Sequence, residues 1–208
     1  MIIQFVKKYF LVLLLVPHLS GIIGMMFRES RDFFMGLTPV MLIFSFVVVF
    51  IEEYEWTKRN FLPIILIFIG GYLAEFTGVN YGYLFGEYTY GTVLGPKLFG
   101  VPLTIAMNWA MLCIAIRSLV NRYTNNVLIS AVLAALIITG YDVVLEPVAI
   151  KFDWWWWDNV SVPFFNYVCW FIFTFIFQLL FRNVPIQTGK SFNILFIHLV
   201  FYLLLMIV

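Results

Sequence analysis

The chain has 208 residues, of which 63% are hydrophobic, 20% aromatic and only 11% charged, and its formal net charge is +1. Soluble domains run near roughly 45–50% apolar with about a quarter of residues charged, so an ordinary core-and-surface protein is excluded. The near-zero charge gives no electrostatic basis for nucleic-acid binding. Cys113 and Cys169 each lie in an apolar run, with neither a disulfide framework nor metal-ligand spacing.

A helix needs about 20 apolar residues to cross a bilayer. Seven runs approach that length, at residues 9–27, 35–51, 61–77, 101–120, 127–149, 164–181 and 192–208. Short polar connectors separate them at 28–32, 52–60, 121–126 and 182–191. The expected fold is an all-α, polytopic membrane helix bundle of about seven transmembrane helices, a single membrane-embedded domain over residues 1–208. Lys7 and Lys8 before the apolar residues 11–16 have the look of a signal peptide. The apolar stretch runs on to Phe27 without a small-x-small cleavage site, so a retained helix is expected.

Cations in the connectors set the expected orientation. Lys7, Lys8, Lys58, Arg59, Arg117, Arg122, Arg182 and Lys190 fall on the amino-terminal side; Arg28, Arg31, Lys97 and Lys151 fall opposite. This bias places the amino terminus in the cytoplasm, in a cell (inner) membrane, for an odd number of helices.

The connector at 78–100, GVNYGYLFGEYTYGTVLGPKLFG, is long, and it is rich in glycine and tyrosine. Structureless loops of this length are uncommon and often functional. Its Asn80, Glu87 and Pro96 make a poor spanning helix, so its GxxxG spacing does not read as a helix-dimer face. A lid over a pocket or an interfacial aromatic loop is expected.

Ionisable groups inside a membrane are expensive and default to functional hypotheses. Glu75 lies near the end of the third run, and Asp142 and Glu146 lie late in the fifth, four residues apart on one helix face. The third and fifth helices run outward and the fourth and sixth inward. Alternation therefore gathers these acids with Thr104, Asn108 and Asn166 in the outer half of the membrane. Glu75 and Glu146 also suit a simple interfacial position. His18 and His198 fall mid-helix in the first and last runs and read as packing histidines rather than metal ligands, and no nucleotide-binding glycine motif follows a strand. Trp154, Trp155, Trp156 and Trp157 are consecutive. Belt tryptophans are ordinary at an interface, but four in succession cannot all face lipid, and some turn toward the bundle mouth. Aromatic faces there stabilise cations, and carboxyl groups beside them suit protonation of an alkene.

Two stretches carry a resemblance. They are AEFTGVNYGYLFGEYTYGTVLGPKLFGVPLTIAMNW at 74–109 and GYDVVLEPVAIKFDWWWWDNVSVPFFNYVCW at 140–170, together about a third of the chain. Their FGxYxYxxxLGPKxxGVP and DxVxEPVA strings resemble the CruF-type carotenoid hydratases, a family of carotenoid-biosynthesis integral membrane proteins. The resemblance implies cofactor-independent addition of water, with no metal, across the terminal double bond of a ψ end group. The substrate it implies is a lipophilic carotenoid of the lycopene or γ-carotene type, and the product a tertiary alcohol. Glu75, Glu87, Asp142, Glu146 and Asn166 match motif positions. The expected catalytic set is Asp142, Glu146 and Glu75, with Asp142, the deepest acid, as proton donor and Glu146 orienting water. The expected substrate-binding set is Glu87, Tyr88, Tyr90, Asn108, Trp154, Trp156 and Asn166. A carotenoid cyclase or isomerase using the same protonation is an alternative, as is a small-molecule or proton-coupled transporter. The expected partners are that substrate and membrane lipid.

Overall fold

A computed structural model of the chain describes residues 1–53, 58–159, 161–181, 184 and 189–208, without the side chains of 58–60. The expected connectors at 52–60 and 182–191, with the orientation residues Lys58, Arg59 and Arg182, lie partly or wholly outside what is described.

Among the described residues there are eight helices: α1 (Ile2–Met26), α2 (Arg28–Gly36), α3 (Thr38–Glu53), α4 (Lys58–Tyr81), α5 (Leu103–Val120), α6 (Val127–Lys151), α7 (Phe164–Leu180) and α8 (Asn193–Ile207). Each apolar run of the sequence carries a helix. The polar segment expected to connect the first two runs is itself helical, a correction. Its Ser30 hydroxyl donates to the Gly24 carbonyl at 2.7 Å and its Arg31 Nε to that of Met25 at 3.0 Å, closing the open end of α1. Four helices (α1, α4, α5 and α6) are long and apolar enough to cross a membrane, five if α2 and α3, bent by 51°, form one span. At 17 and 15 residues, α7 and α8 are apolar but shorter.

The packing is inside-out relative to a soluble protein. α5 is the hub: 83% of its apolar window is buried, against 39% in each of the other three long helices. It contacts α3, α4, α6, α7 and α8, while α1 packs outside against α3 and α8. A helix apolar on all sides belongs in such a centre. The outer helices expose large apolar side chains, among them Leu62, Ile69 and Leu73 on α4 and Leu128 and Leu136 on α6. Contiguous apolar surface of this extent is a surface for lipid. The chain is a mostly helical, multi-pass membrane protein.

One end of the bundle is tied by Glu53, fully buried at the end of α3. Its carboxylate accepts from the hydroxyls of Ser118 at 2.8 Å and Ser191 at 2.7 Å, and from the amides of Ser191 at 3.1 Å and Gly189 at 3.3 Å. It joins α3, α5 and the approach to α8.

The opposite end carries the long connector, and it is not structureless. α4 runs past the expected boundary to Tyr81 and stops at Gly82, whose φ of +66° suits a residue without a Cβ and whose amide bonds the Gly78 carbonyl at 2.8 Å. Strand β1 (Tyr88–Tyr90) then pairs antiparallel with β4 (Trp155–Trp157), setting Tyr88 opposite Trp157 and Tyr90 opposite Trp155. A small hairpin, β2 (Lys97–Leu98) with β3 (Val101–Pro102), leads into α5. Gly91 permits the close approach of the two segments, because a Cβ there would overlap the Asp153 carbonyl oxygen. Its amide instead donates to Trp154 O at 2.8 Å.

Candidate active site

The β1–β4 ribbon lies across the ends of α4 and α6, and its alternation decides what faces the bundle. Side chains of a strand point alternately to opposite faces, so Tyr88, Tyr90, Trp155 and Trp157 are buried while Thr89 and Trp156 are exposed. The inward face is a row of four aromatic hydrogen-bond donors. The two hydroxyls reach Glu75 on α4: Tyr88 donates to Oε2 at 2.5 Å and Tyr90 at 2.7 Å. The two indoles reach Glu146 on α6, with Trp155 Nε1 at 3.0 Å and Trp157 Nε1 at 2.9 Å, both on Oε2.

Glu75 receives a third donor from within the bundle. Gly71, one turn earlier on α4, lets the α5 helix approach: a Cβ there would stand 2.8 Å from the Trp109 ring. That approach brings Trp109 Nε1 to 2.9 Å from Glu75 Oε1. The Trp109 ring stacks on Trp170 of α7, centroids 4.1 Å apart. On the α6 side, the Asn166 amide donates to Asp142 Oδ2 at 2.7 Å and to Glu146 Oε1 at 3.4 Å. Asp142 is fully buried, and its Oδ1 has no partner among the described residues.

A cavity of about 50 Å³ opens among these groups, walled by Glu75, Glu146, Asn108, Asn166, Tyr88, Tyr90, Trp154, Trp155, Trp157 and Trp170 with apolar neighbours. Thr38 Oγ1, Asn108 Oδ1 and Trp154 Nε1 on this wall are buried without a hydrogen-bond partner among the described residues. Buried polar atoms are rarely left so. The space and the open valences suit one or two small polar molecules.

The placement of the expected residues is therefore uneven. Glu75, Glu146, Tyr88, Tyr90, Asn108, Trp154 and Asn166 line one cavity. Asp142 does not border it; it stands one turn behind Glu146 and meets the site through Asn166. Trp156, expected to bind substrate, is 44% exposed on the outer face of β4 and off the cavity wall, where strand parity puts Trp155 and Trp157 instead. Glu87 is exposed, and its backbone carbonyl accepts from the Asp158 amide at 3.1 Å; it too lies off the wall. Trp109 and Trp170 were missed as site residues. The readable signal for the tryptophans of β4 was the Tyr-x-Tyr and Trp-x-Trp spacing, a period of two in both segments. His18 and His198 sit elsewhere, rings 5.1 Å apart, the first bonded to Leu14 O at 2.7 Å and the second to the Tyr141 hydroxyl at 2.9 Å.

Fold and site together define a multi-pass membrane helix bundle that holds paired acids among aromatic donors at one end. The chain belongs to the carotenoid biosynthesis protein family, whose model matches residues 37–208 and so takes in every residue of that site. Bisanhydrobacterioruberin hydratase of Haloarcula japonica is similar, 28% identical over 135 residues, which cover 60% of this chain and 45% of that relative. The chain matches less than half of that relative's length. No solved structure matches.

Proposed function

We propose that this protein hydrates the terminal double bond of a carotenoid ψ end group, of the lycopene or γ-carotene type, by acid catalysis through a tertiary carbocation. The observation that carries the reading is the pair Asp142 and Glu146, buried one helical turn apart and bridged by one amide, with Glu146 on the wall of an aromatic cavity. Kinship with the family and likeness to a relative named as a carotenoid hydratase support the same chemistry.

Glu146 delivers the proton in this reading. Its Oε2 accepts from two indole N–H groups, whereas Oε1 meets only the Asn166 amide at 3.4 Å and is the oxygen that carries the proton in this reading. Transfer to the less substituted alkene carbon forms a C–H bond, breaks the π bond and leaves a tertiary cation. Glu75, with three donors suited to a carboxylate, and the ring faces of Tyr88, Trp155 and Trp157 stabilise that cation. A water held by Asn108 or Asn166 forms the C–O bond, and its surplus proton returns to Glu146. The site ends as it began, so the cycle consumes no cofactor. Asp142 is a positioning residue, sharing the Asn166 amide with Glu146.

The same reading places seven spans in a cell (inner) membrane with the amino terminus in the cytoplasm. It counts the bent pair α2–α3, α7 and α8 as crossings, and it rests on the connector cations. Expression in a lycopene-producing host, followed by pigment mass analysis, tests the chemistry. Hydration adds one water per end group. Unchanged mass with altered retention supports a cyclase or isomerase, and unaltered pigment overturns the enzymatic reading.

A further inference from the structure

A second cavity of about 180 Å³ adjoins the first, and the proposed chemistry leaves it unused. The two share four wall residues, Thr38, Leu42, Trp154 and Tyr202, so they lie side by side and meet at a throat formed by these four side chains. The wall of the second is mostly apolar, with Met25, Phe34, Met41 and Phe201 among its members. Its inner part is buried (His18, Ser45, His198), while its rim includes exposed Ser20 and half-buried Gly21 and Leu37.

The surface around that rim is apolar. Val16, Leu19 and Ile23 on α1 and Val200 and Leu204 on α8 are each exposed. The rim therefore opens toward lipid rather than water, between α1, α3 and α8. The acid cavity, about 50 Å³, is of the size for water. The larger apolar one suits a hydrocarbon chain.

We infer that the second cavity seats the terminal isoprenoid units of the substrate, admitted sideways from the bilayer, with the reacting double bond at the throat. Volume and polarity then divide the two reactants: hydrocarbon on the His18 side, water and acids on the Glu146 side. Two unpartnered polar atoms at the throat, Thr38 Oγ1 and Trp154 Nε1, are placed to receive the hydroxyl group of the product. This inference rests on the hydratase reading for its choice of ligand.

The test fills the cavity at its rim in the full chain with Gly21→Leu and Leu37→Trp. Val40→Trp, in the first turn of α3 at an exposed position off the wall, adds comparable bulk as a control. Each protein is purified from lycopene-producing cells, checked for an unchanged thermal midpoint, and assayed for pigment retained per protein and for hydrated product. The expected result is loss of retained pigment by about tenfold or more in both rim variants, with Val40→Trp like the wild type. Retention unchanged in the rim variants, or lost equally in all three, or no pigment on the wild type, overturns the inference. If the wild type hydrates nothing but retention follows the rim, the hydratase reading falls and the cavity assignment stands. If hydration proceeds and ignores the rim, the reverse holds.

Discussion

Trp157 and Glu146 are eleven residues apart in sequence, yet the indole nitrogen of the first donates to the carboxylate of the second at 2.9 Å. α6 ends between them, the chain reverses at Asp153 with a φ of +55°, and β4 returns across the mouth of the helix it has just left. The ribbon thus closes the site and orients its acid with the same side chains.

Glu146→Gln keeps the shape of the side chain and removes the proton it delivers. Hydration in membranes, measured as product per protein, should fall by the ~10²–10⁴ that general acid catalysis supplies. Asp142→Asn should cost less, because the delivering group remains on the wall. The opposite order, with Asp142→Asn inactive and Glu146→Gln near wild type, would return the donor role to Asp142.

Strand parity yields a sharper contrast. Trp157→Phe removes one of the two indole hydrogen bonds to the carboxylate that Glu146 becomes as it gives up its proton, a class of bond worth about 1.5–3 kcal/mol, so the hydration rate should fall by roughly tenfold or more. Trp156→Phe changes an outward side chain and should stay within about twofold of wild type. Equal effects of the two substitutions would mean that the ribbon does not pair as described.

The product oxygen should come from solvent. Incubation in heavy-oxygen water should label the tertiary alcohol, and label arriving from dioxygen instead would replace hydration with hydroxylation.

Orientation is testable by labelling single cysteines at positions 58 and 158 after removal of Cys113 and Cys169. α4 spans 24 residues, about 36 Å, and the ribbon lies across its far end. The two positions should therefore react from opposite sides, with position 58 facing the cytoplasm. Reaction of both from one side would contradict the seven-span arrangement.

Glu53→Ala should destabilise the bundle without touching the chemistry. It strips partners from the buried hydroxyls of Ser118 and Ser191, at about 1–3 kcal/mol for each donor left unsatisfied. The thermal midpoint in detergent should drop clearly, while turnover per folded protein is retained. An unchanged midpoint would show that the end of α3 is held by other contacts.

The apolar runs alone determined that the chain is helical and lies in a membrane, because in hydrocarbon every backbone amide must be satisfied within its own segment. The same local logic puts Asp142 and Glu146 on one face of one helix, and the two motif strings carry the family resemblance without any tertiary contact. Depth was legible as well: alternating helix directions brought Glu75, Asn108 and Asn166 toward Glu146 from far-separated positions. Tertiary structure alone decided which of these groups reach a common cavity. Trp155 and Trp157 face inward, and Trp156 outward, only because β4 pairs with β1 in one register, and a shift of one residue would invert all three. Along the sequence Asp142 is the deeper acid and the expected donor, one turn inside Glu146. A turn of helix and the approach of α7 set one behind the Asn166 amide and leave the other on the wall, a distinction made by packing between helices rather than by any local signal.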